Sequence, residues 1–329
     1  ARAYRFLALH VGWGFKPSFL RQRETQRETP TGNGRPGSRS GWDFNERHRA
    51  QQQMHERSLE LVEGLLTKDP RNHHFRLAKA TSCRTLASLH GMIARWSRVE
   101  SAAANARQAE AIAVLESLAE DFANAGQFRH ELARALAPRM GAEFRGQAER
   151  TAKAQQLRRA TEIGEQLLRE FPTVTGYKLS LAGHCHSLGR MLGKSSEAEG
   201  YYRRALQLRE DLDGVPNASR RSIIRTNRYR LDLARVLIAN QKPEGARKEL
   251  ETCLAVVAEL RDAKGQSRSA SSSYSSAARR LWSIHRNMAN ALRALDKETQ
   301  AKDHEKKAEE ASVRWGRGRR FGRRRSRHR

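Results

Sequence analysis

Two clusters of potential metal ligands occur in the 329-residue sequence, His184–Cys185–His186 and His73–His74. Adjacent residues on a helix point about 100° apart, so they cannot converge on one ion as an i, i+4 pair can. The three cysteines, Cys83, Cys185 and Cys253, are far apart and form no CxxC pair. We therefore expect no metal site and no disulfide framework, and the sparse cysteines favour a reducing compartment.

Motifs for nucleotide chemistry and hydrolysis are also missing. The stretch GNGRPG at 32–37 matches the pattern GxGxxG in form. A phosphate cradle needs a strand before it and a helix after it, whereas the flanks RETPT and SRSGW are polar and contain helix breakers. The sequence has no His-Arg-Asp catalytic loop, no HExxH and no GxSxG. We expect a protein that is not an enzyme and that holds no cofactor.

The chain is strongly basic, with 63 Lys and Arg against 36 Asp and Glu and a formal net charge of +27. Over half of the excess lies in the two ends, residues 1–49 and 314–329, and the middle is only mildly basic on average. A basic balance attracts acidic proteins and phosphate polyanions. We expect an acidic protein or peptide partner, with non-specific nucleic acid as a further ligand of the C-terminal tail.

Composition divides the chain into three parts. Residues 1–49 are rich in Gly, Pro, Ser and Arg and have no hydrophobic period, and residues 314–329 form an Arg/Gly tail, so both are predicted to be disordered. Residues 50–313 are dominated by Ala, Leu, Arg, Glu and Gln, which favour helix, and within them the serine-rich stretch 264–276 is predicted to be a loop. No apolar run approaches the roughly 20 residues of a membrane helix. We expect a cytoplasmic protein without membrane association. The first residue is Ala rather than Met, so we expect a fragment, a processed form or a misplaced gene start.

A short motif recurs along the middle part, an aromatic residue followed by a basic one. Its aromatic residues lie 53, 49 and 52 residues apart, and the four copies are FRLAKA (75–80), FRHELA (128–133), YKLSLA (177–182) and YRLDLA (229–234). Each copy follows a helix-forming segment and a turn. A fixed repeat of this length is typical of a solenoid in which stacked helix pairs bury their apolar faces together. The pattern predicts an all-α fold in which these aromatic residues pack between helices.

Residues 181–210 resemble a tetratricopeptide repeat. Six of them match its signature in order, namely Leu188, Gly189, Leu192, Ala198, Tyr202 and Ala205. The distance from Gly189 to Ala205 is shorter than in the usual repeat, which predicts a tight turn between the two helices. The resemblance implies an α-solenoid of stacked antiparallel helix pairs with a concave groove. Such a fold implies a scaffold that binds a peptide or a partner's helix.

The repeats also resemble those that follow the catalytic domain in serine/threonine kinases of planctomycete-type bacteria. This second resemblance implies an alternative, the detached repeat region of a kinase with a regulatory or substrate-docking role. A catalytic domain upstream of Ala1 would be required, because the chain itself lacks the kinase motifs.

Candidate contact residues follow from these two functions. The helices predicted to line the groove carry Arg107, Arg158, Arg159, Arg203 and Arg204, which are candidates for binding an acidic partner. The tail offers a further alternative, because arginine pairs bidentately with phosphate and Trp315 and Phe321 could stack on bases. The nucleic-acid candidates are Arg319, Arg320, Arg323, Arg324 and Arg325.

Overall fold

The computed structural model describes residues 39–97, 102–137, 146–213, 219–262 and 271–325. These residues form eleven α-helices and no β-strand, which confirms the all-α prediction. None of the described helices is long and apolar enough to span a membrane. The described side chains include no group of three or more His, Cys, Asp or Glu that could hold a metal ion.

The helices belong to two compact units. The first unit contains α1 (Arg39–Leu66), α2 (His73–Ser97), α3 (Ala102–Asp121) and α4 (Gly126–Leu136). The second contains α5 (Gln147–Glu170), α6 (Thr175–Leu192), α7 (Ser196–Asp213), α8 (Arg220–Ala239), α9 (Pro243–Asp262), α10 (Ser271–Arg293) and α11 (Glu298–Arg325). Consecutive helices pack against each other within each unit, as expected for stacked helix pairs.

Small residues allow α6 and α7 to approach closely. A Cβ added at Gly189 would lie 3.0 Å from the ring of Tyr202, so only glycine fits there without a shift of the ring. Ala198 and Ala205 on α7 are fully buried. The turn between the helices is tight, as predicted: α6 ends at Leu192, and Gly193 adopts a φ of 76°, a conformation that favours glycine.

The recurring aromatic residues pack inside the helix pairs. Phe75, Phe128 and Tyr229 are buried, in agreement with the packing role predicted for them. Tyr177 is half-buried and contacts Phe171 edge-to-face, with 5.9 Å between the ring centroids. These rings therefore stabilise the repeats and do not form an exposed row of ligand contacts.

Three helix ends differ from the predicted boundaries. Helix α1 begins at Arg39, inside the segment 1–49, and α11 continues to Arg325, inside the tail 314–329. Helix α10 begins at Ser271, within the serine-rich stretch 264–276 that the sequence suggested as a loop. Arginine and serine are compatible with helix even where apolar residues are scarce. A prediction of disorder from composition does not take this helix propensity into account. The remaining residues of both predicted disordered segments lie outside the described ranges.

Candidate functional site

Alternate helices of the second unit lie side by side. His186 of α6 contacts Asp232 of α8, and Arg235 of α8 donates a hydrogen bond to Ser283 of α10 at 2.7 Å. On the other set of helices, Arg204 of α7 binds Glu165 of α5. Helices α6, α8 and α10 therefore present one surface, and α5 and α7 contribute to another.

Charge is divided unequally between these two sets of helices. Helices α6, α8 and α10 carry twelve Lys and Arg against a single acid, Asp232. Helices α5, α7 and α9 carry eleven basic and fourteen acidic residues. The first unit repeats the pattern, since α2 and α4 have six bases and one acid whereas α1 and α3 have five bases and nine acids.

The basic residues of α8 are concentrated on one exposed side. Arg221, Arg225, Arg228, Asp232 and Arg235 follow one another at spacings of four, three, four and three, so they share one side of the helix. The four arginines are all exposed. We call this surface the arginine face, and it comprises these five residues together with Arg190 of α6 and Arg286 of α10.

Asp232 lies at the centre of the arginine face and joins two helices. His186 Nε2 lies 3.0 Å from Asp232 Oδ2, and Arg235 donates to Asp232 Oδ1 at 2.8 Å. Arg228 Nε lies 4.0 Å from Asp232 Oδ2. The His186 ring stacks on Tyr229 with 3.9 Å between centroids and 7° between planes. The carboxylate is therefore held by α6 on one side and by two arginines of its own helix.

The electrostatics of the pair favour a neutral imidazole and an ionised carboxylate. Burial lowers the pKa of His186, the charges of Arg228 and Arg190 lower it further, and Asp232 only partly opposes them. Burial raises the pKa of Asp232, but the hydrogen bond from His186 and the charges of Arg235 and Arg228 outweigh it, so that pKa is lowered. His186 therefore donates its Nε2–H to an Asp232 that stays negative at neutral pH.

Several arginines of this face are available to a ligand. Among the residues that the structure describes, Arg190, Arg221 and Arg225 have neither an ion pair nor a hydrogen-bond partner. Arg286 is exposed and lies over the Trp282 ring, 5.3 Å from its centroid. The face therefore offers guanidinium groups that an anionic ligand can bind.

The partner contacts predicted from the sequence lie elsewhere. Arg107 is on α3 of the first unit. The other four are on α5 and α7, whereas the arginine face lies on α6, α8 and α10. Four of the five form ion pairs within their own unit: Arg107 with Glu110, Arg158 with Glu197, Arg203 with Glu199 and Arg204 with Glu165. Arg159 is exposed on α5. A partner-binding role for these residues stays a prediction.

The predicted nucleic-acid contacts cannot be placed in this way. Residues 319–325 belong to the backbone of α11, but the side chains from 314 onward lie outside the described part of the structure.

The arginine face itself was missed by sequence reasoning. The four–three spacing of arginine along α8 and the near absence of acids in α6, α8 and α10 would have located it.

Gly189 and Tyr202, two positions that match the repeat signature, meet in the structure, where a Cβ on Gly189 would lie 3.0 Å from the ring. Consecutive helices pack in pairs around such contacts. The fold is tetratricopeptide-like. No protein-family model and no curated protein sequence matches the chain. Solved structures do match: BtubC (BKLC) from P. vanneervenii superposes with a TM-score of 0.50 at 18% identity, covering 81% of this chain and 91% of that chain.

Two further solved structures are similar at a lower level. The MamA protein matches at 12% identity and a TM-score of 0.39 over 71% of this chain and 94% of that one. A kinesin light chain with nearly identical TPR-like repeats from Podosopora anserina matches at 19% identity and a TM-score of 0.39, over 70% and 96%. Likeness at these identities concerns the fold alone.

Proposed function

We propose that this protein is a non-catalytic scaffold that binds an acidic segment of a partner protein on its arginine face. The observation that carries the proposal is the charge of α6, α8 and α10, with twelve bases against one acid. Two of the twelve, Arg230 and Arg293, pair with glutamates of neighbouring helices. The excess that remains attracts negative charge and speeds its association. The proposed setting is the cytoplasm.

The contrast between the two sets of helices supports this location for the ligand. On α5 and α7, Arg158 and Arg204 are neutralised by glutamates of the neighbouring helix, as in Arg158–Glu197 at 2.9 Å. Such pairs favour helix packing and leave little net electrostatic field to attract a ligand. On the arginine face, Arg190, Arg221 and Arg225 have no carboxylate partner among the described residues, so a ligand can supply one.

A charge-reversal experiment on the full chain tests the proposal. The probe is a fluorescein-labelled polyglutamate peptide, and its binding is followed by fluorescence anisotropy at low and high salt. Each exposed charge pair is worth about 1 kcal/mol in water. We expect the double variant Arg190→Glu with Arg225→Glu to weaken binding by about tenfold or more. The double variant Arg158→Glu with Arg159→Glu makes the same change in net charge on α5 and is the matched control.

The two double variants also distinguish binding on the arginine face from a general response to the net charge of the protein. If the α5 variant weakens binding as much as the face variant, the peptide responds to net charge and the arginine face is not its site. Preferential loss in the α5 variant would instead favour the contacts predicted from the sequence. Circular dichroism confirms that both variants are folded before binding is compared.

The two alternative functions have their own tests. For nucleic-acid binding through the tail, deletion of 314–329 should abolish retention on immobilised RNA. For a role as the repeat region of a kinase, a catalytic domain should be encoded upstream of Ala1. No described contact favours either function over peptide binding on the arginine face.

A further inference from the structure

Asp232 is the one negative charge within the arginine face, and it does not lie at the edge. Arg228 precedes it by one helical turn and Arg235 follows it by one turn, and both contact its carboxylate. Its side chain retains 14% of its exposure, so the carboxylate is close to the surface. A ligand that crosses α8 therefore passes an acid between two groups of bases.

We infer that Asp232 makes the arginine face selective for acidic peptides whose negative charge is interrupted by an uncharged residue. The unbroken negative charge of a nucleic-acid strand is disfavoured by the same residue. This inference rests on the proposed function, because it specifies which acidic ligand that same surface accepts.

At Asp232, repulsion and hydrogen bonding both favour an uncharged ligand group over an anionic one. A ligand carboxylate or phosphate placed over Asp232 meets a fixed negative charge at a partly buried site, where screening by solvent is reduced. A carboxylate has about four acceptor positions, and among the described residues Asp232 is hydrogen-bonded to His186 and Arg235, with Arg228 4.0 Å away. A hydroxyl or amide of the ligand can donate to the remaining acceptor position.

A peptide and a nucleic acid differ in their ability to satisfy this pattern. A peptide can place glutamates near Arg190 and Arg225 and a serine over Asp232, because its side chains vary from residue to residue. A nucleic-acid strand carries a phosphate at every nucleotide and cannot omit one. In addition, Asp232 occupies Arg228 and Arg235, which a phosphate backbone would otherwise bind.

The alternative is a purely structural role, in which Asp232 only joins α8 to α6 through His186. The variant Asp232→Asn distinguishes the two roles. Asparagine has nearly the same shape and keeps an acceptor oxygen for the Nε2–H of His186, but it carries no charge. A structural role predicts a change in thermal stability with no change in the preference among ligands.

The experiment compares three labelled probes on the full chain by fluorescence anisotropy. They are a polyglutamate peptide, the same peptide with its central residue replaced by serine, and an oligouridine of matched charge. The control variant is Glu162→Gln, which changes the net charge equally but alters an exposed residue on α5. A second variant, Asp232→Glu, keeps the negative charge and tests the inference if Asp232→Asn does not fold.

We expect the unaltered protein to bind the serine-containing peptide more tightly than the other two probes. We expect Asp232→Asn to tighten binding of oligouridine and unbroken polyglutamate by about tenfold and to change the serine-containing peptide by less than about twofold. For this variant, the slope of the logarithm of the oligouridine binding constant against the logarithm of the salt concentration should steepen by about 0.7 for each arginine that becomes free to bind a phosphate. Asp232→Glu should keep the original order of the probes, and Glu162→Gln should leave it unchanged.

Other outcomes would overturn the inference in distinguishable ways. An equal gain for all three probes in Asp232→Asn would show that the residue sets overall charge and not selectivity. Tighter binding of oligouridine than of either peptide by the unaltered protein would favour a nucleic-acid ligand. Failure of both peptides to bind the unaltered protein would remove the proposed function itself, and the inference with it.

Discussion

Glycine has opposite roles at two positions of neighbouring helices. A Cβ at Gly189 of α6 would press on the ring of Tyr202, whereas a Cβ at Gly200 of α7 would meet nothing within 4 Å. We expect Gly189→Ala to destabilise the protein by about 1–3 kcal/mol through overpacking. We expect Gly200→Ala to stabilise it by up to about 1 kcal/mol, since alanine has the higher helix propensity. Urea unfolding measures both changes.

The contrast between these glycines is the sharpest stability test of the repeat packing. Equal or higher stability of Gly189→Ala would show that the α6–α7 contact is looser than the structure indicates. A loss of stability in Gly200→Ala would show an additional contact on the exposed side of α7.

Gly183 offers a way to block the arginine face without disturbing the fold. It lies on α6 one turn after Leu179 and one turn before His186, and a Cβ there would meet nothing within 4 Å. We expect Gly183→Leu to fold normally and to weaken binding of the polyglutamate peptide several-fold, because the new side chain projects over the face. Gly200→Leu is the matched control and should leave binding unchanged. Anisotropy titrations that give the same affinity for both variants would place the ligand away from α6.

The sequence was informative about packing residues and much less about contact residues. Gly189 and Tyr202 were identified because each matches a position of a known signature. Arg158 and Arg204 were selected because they lie on helices that were expected to line a groove, but the sequence gives no sign that Glu197 and Glu165 pair with them. Pairing across 39 residues depends on how the helices are stacked, so it is visible only in the structure.

Ion pairs between α5 and α7 belong to the scale of helix packing. Arg204 donates two hydrogen bonds to Glu165, at 2.8 and 2.7 Å, and both side chains are partly exposed. We expect Arg204→Ala to reduce the free energy of unfolding by about 0.5–1 kcal/mol, as is usual for partly exposed pairs. Peptide binding should be unaffected. A double-mutant cycle with Glu165→Gln measures the pair, and a coupling energy near zero would show that it does not contribute.

The α10–α11 pair contains a site that depends on pH. His285 Nδ1 and His304 Nδ1 lie 3.0 Å apart, and the pKa of His285 is lowered to about 4 by burial, by His304 and by Lys307, against the opposing charge of Asp303. Burial lowers the pKa of His304 as well. In the unfolded chain both would bind protons near their ordinary pKa of 6.5. The folded state therefore loses stability as the pH falls from about 6.5 towards 4.

Replacing both histidines should flatten this dependence. We expect the double variant His285→Gln with His304→Gln to lose less stability than the unaltered protein between neutral pH and pH about 4.5. Thermal unfolding of the two proteins across this range gives the comparison. His130 and His186, whose pKa values are also lowered by burial, remain in both proteins and provide the shared background. Parallel pH profiles would contradict the role of the pair.

Helix type was predictable from the sequence, but several helix ends were not. The recurring aromatic motif located α2, α4, α6 and α8, and the turn after Leu192 was expected from the short spacing of the signature. The continuation of α11 to Arg325 was not, because arginine-rich sequence without apolar residues meets the composition rule for disorder while remaining a good helix former.

At the scale of the molecule, averaging over the sequence hides the division of charge. Residues 50–313 are only mildly basic as a whole because acidic residues of α5, α7 and α9 offset the bases of α6, α8 and α10. The folded chain separates the two sets onto different surfaces of the second unit. A periodic repeat can therefore carry a strongly basic surface that net charge per segment does not reveal.

Arginine footprinting tests the central claim most directly. The full chain is treated with phenylglyoxal, with and without the polyglutamate peptide, and modified arginines are located by mass spectrometry. We expect the peptide to protect Arg190, Arg221 and Arg225 while Arg159 and Arg169 of α5 remain reactive. Protection of Arg158, Arg159 and Arg203 instead, or of the tail arginines 319–325 alone, would contradict binding on the arginine face.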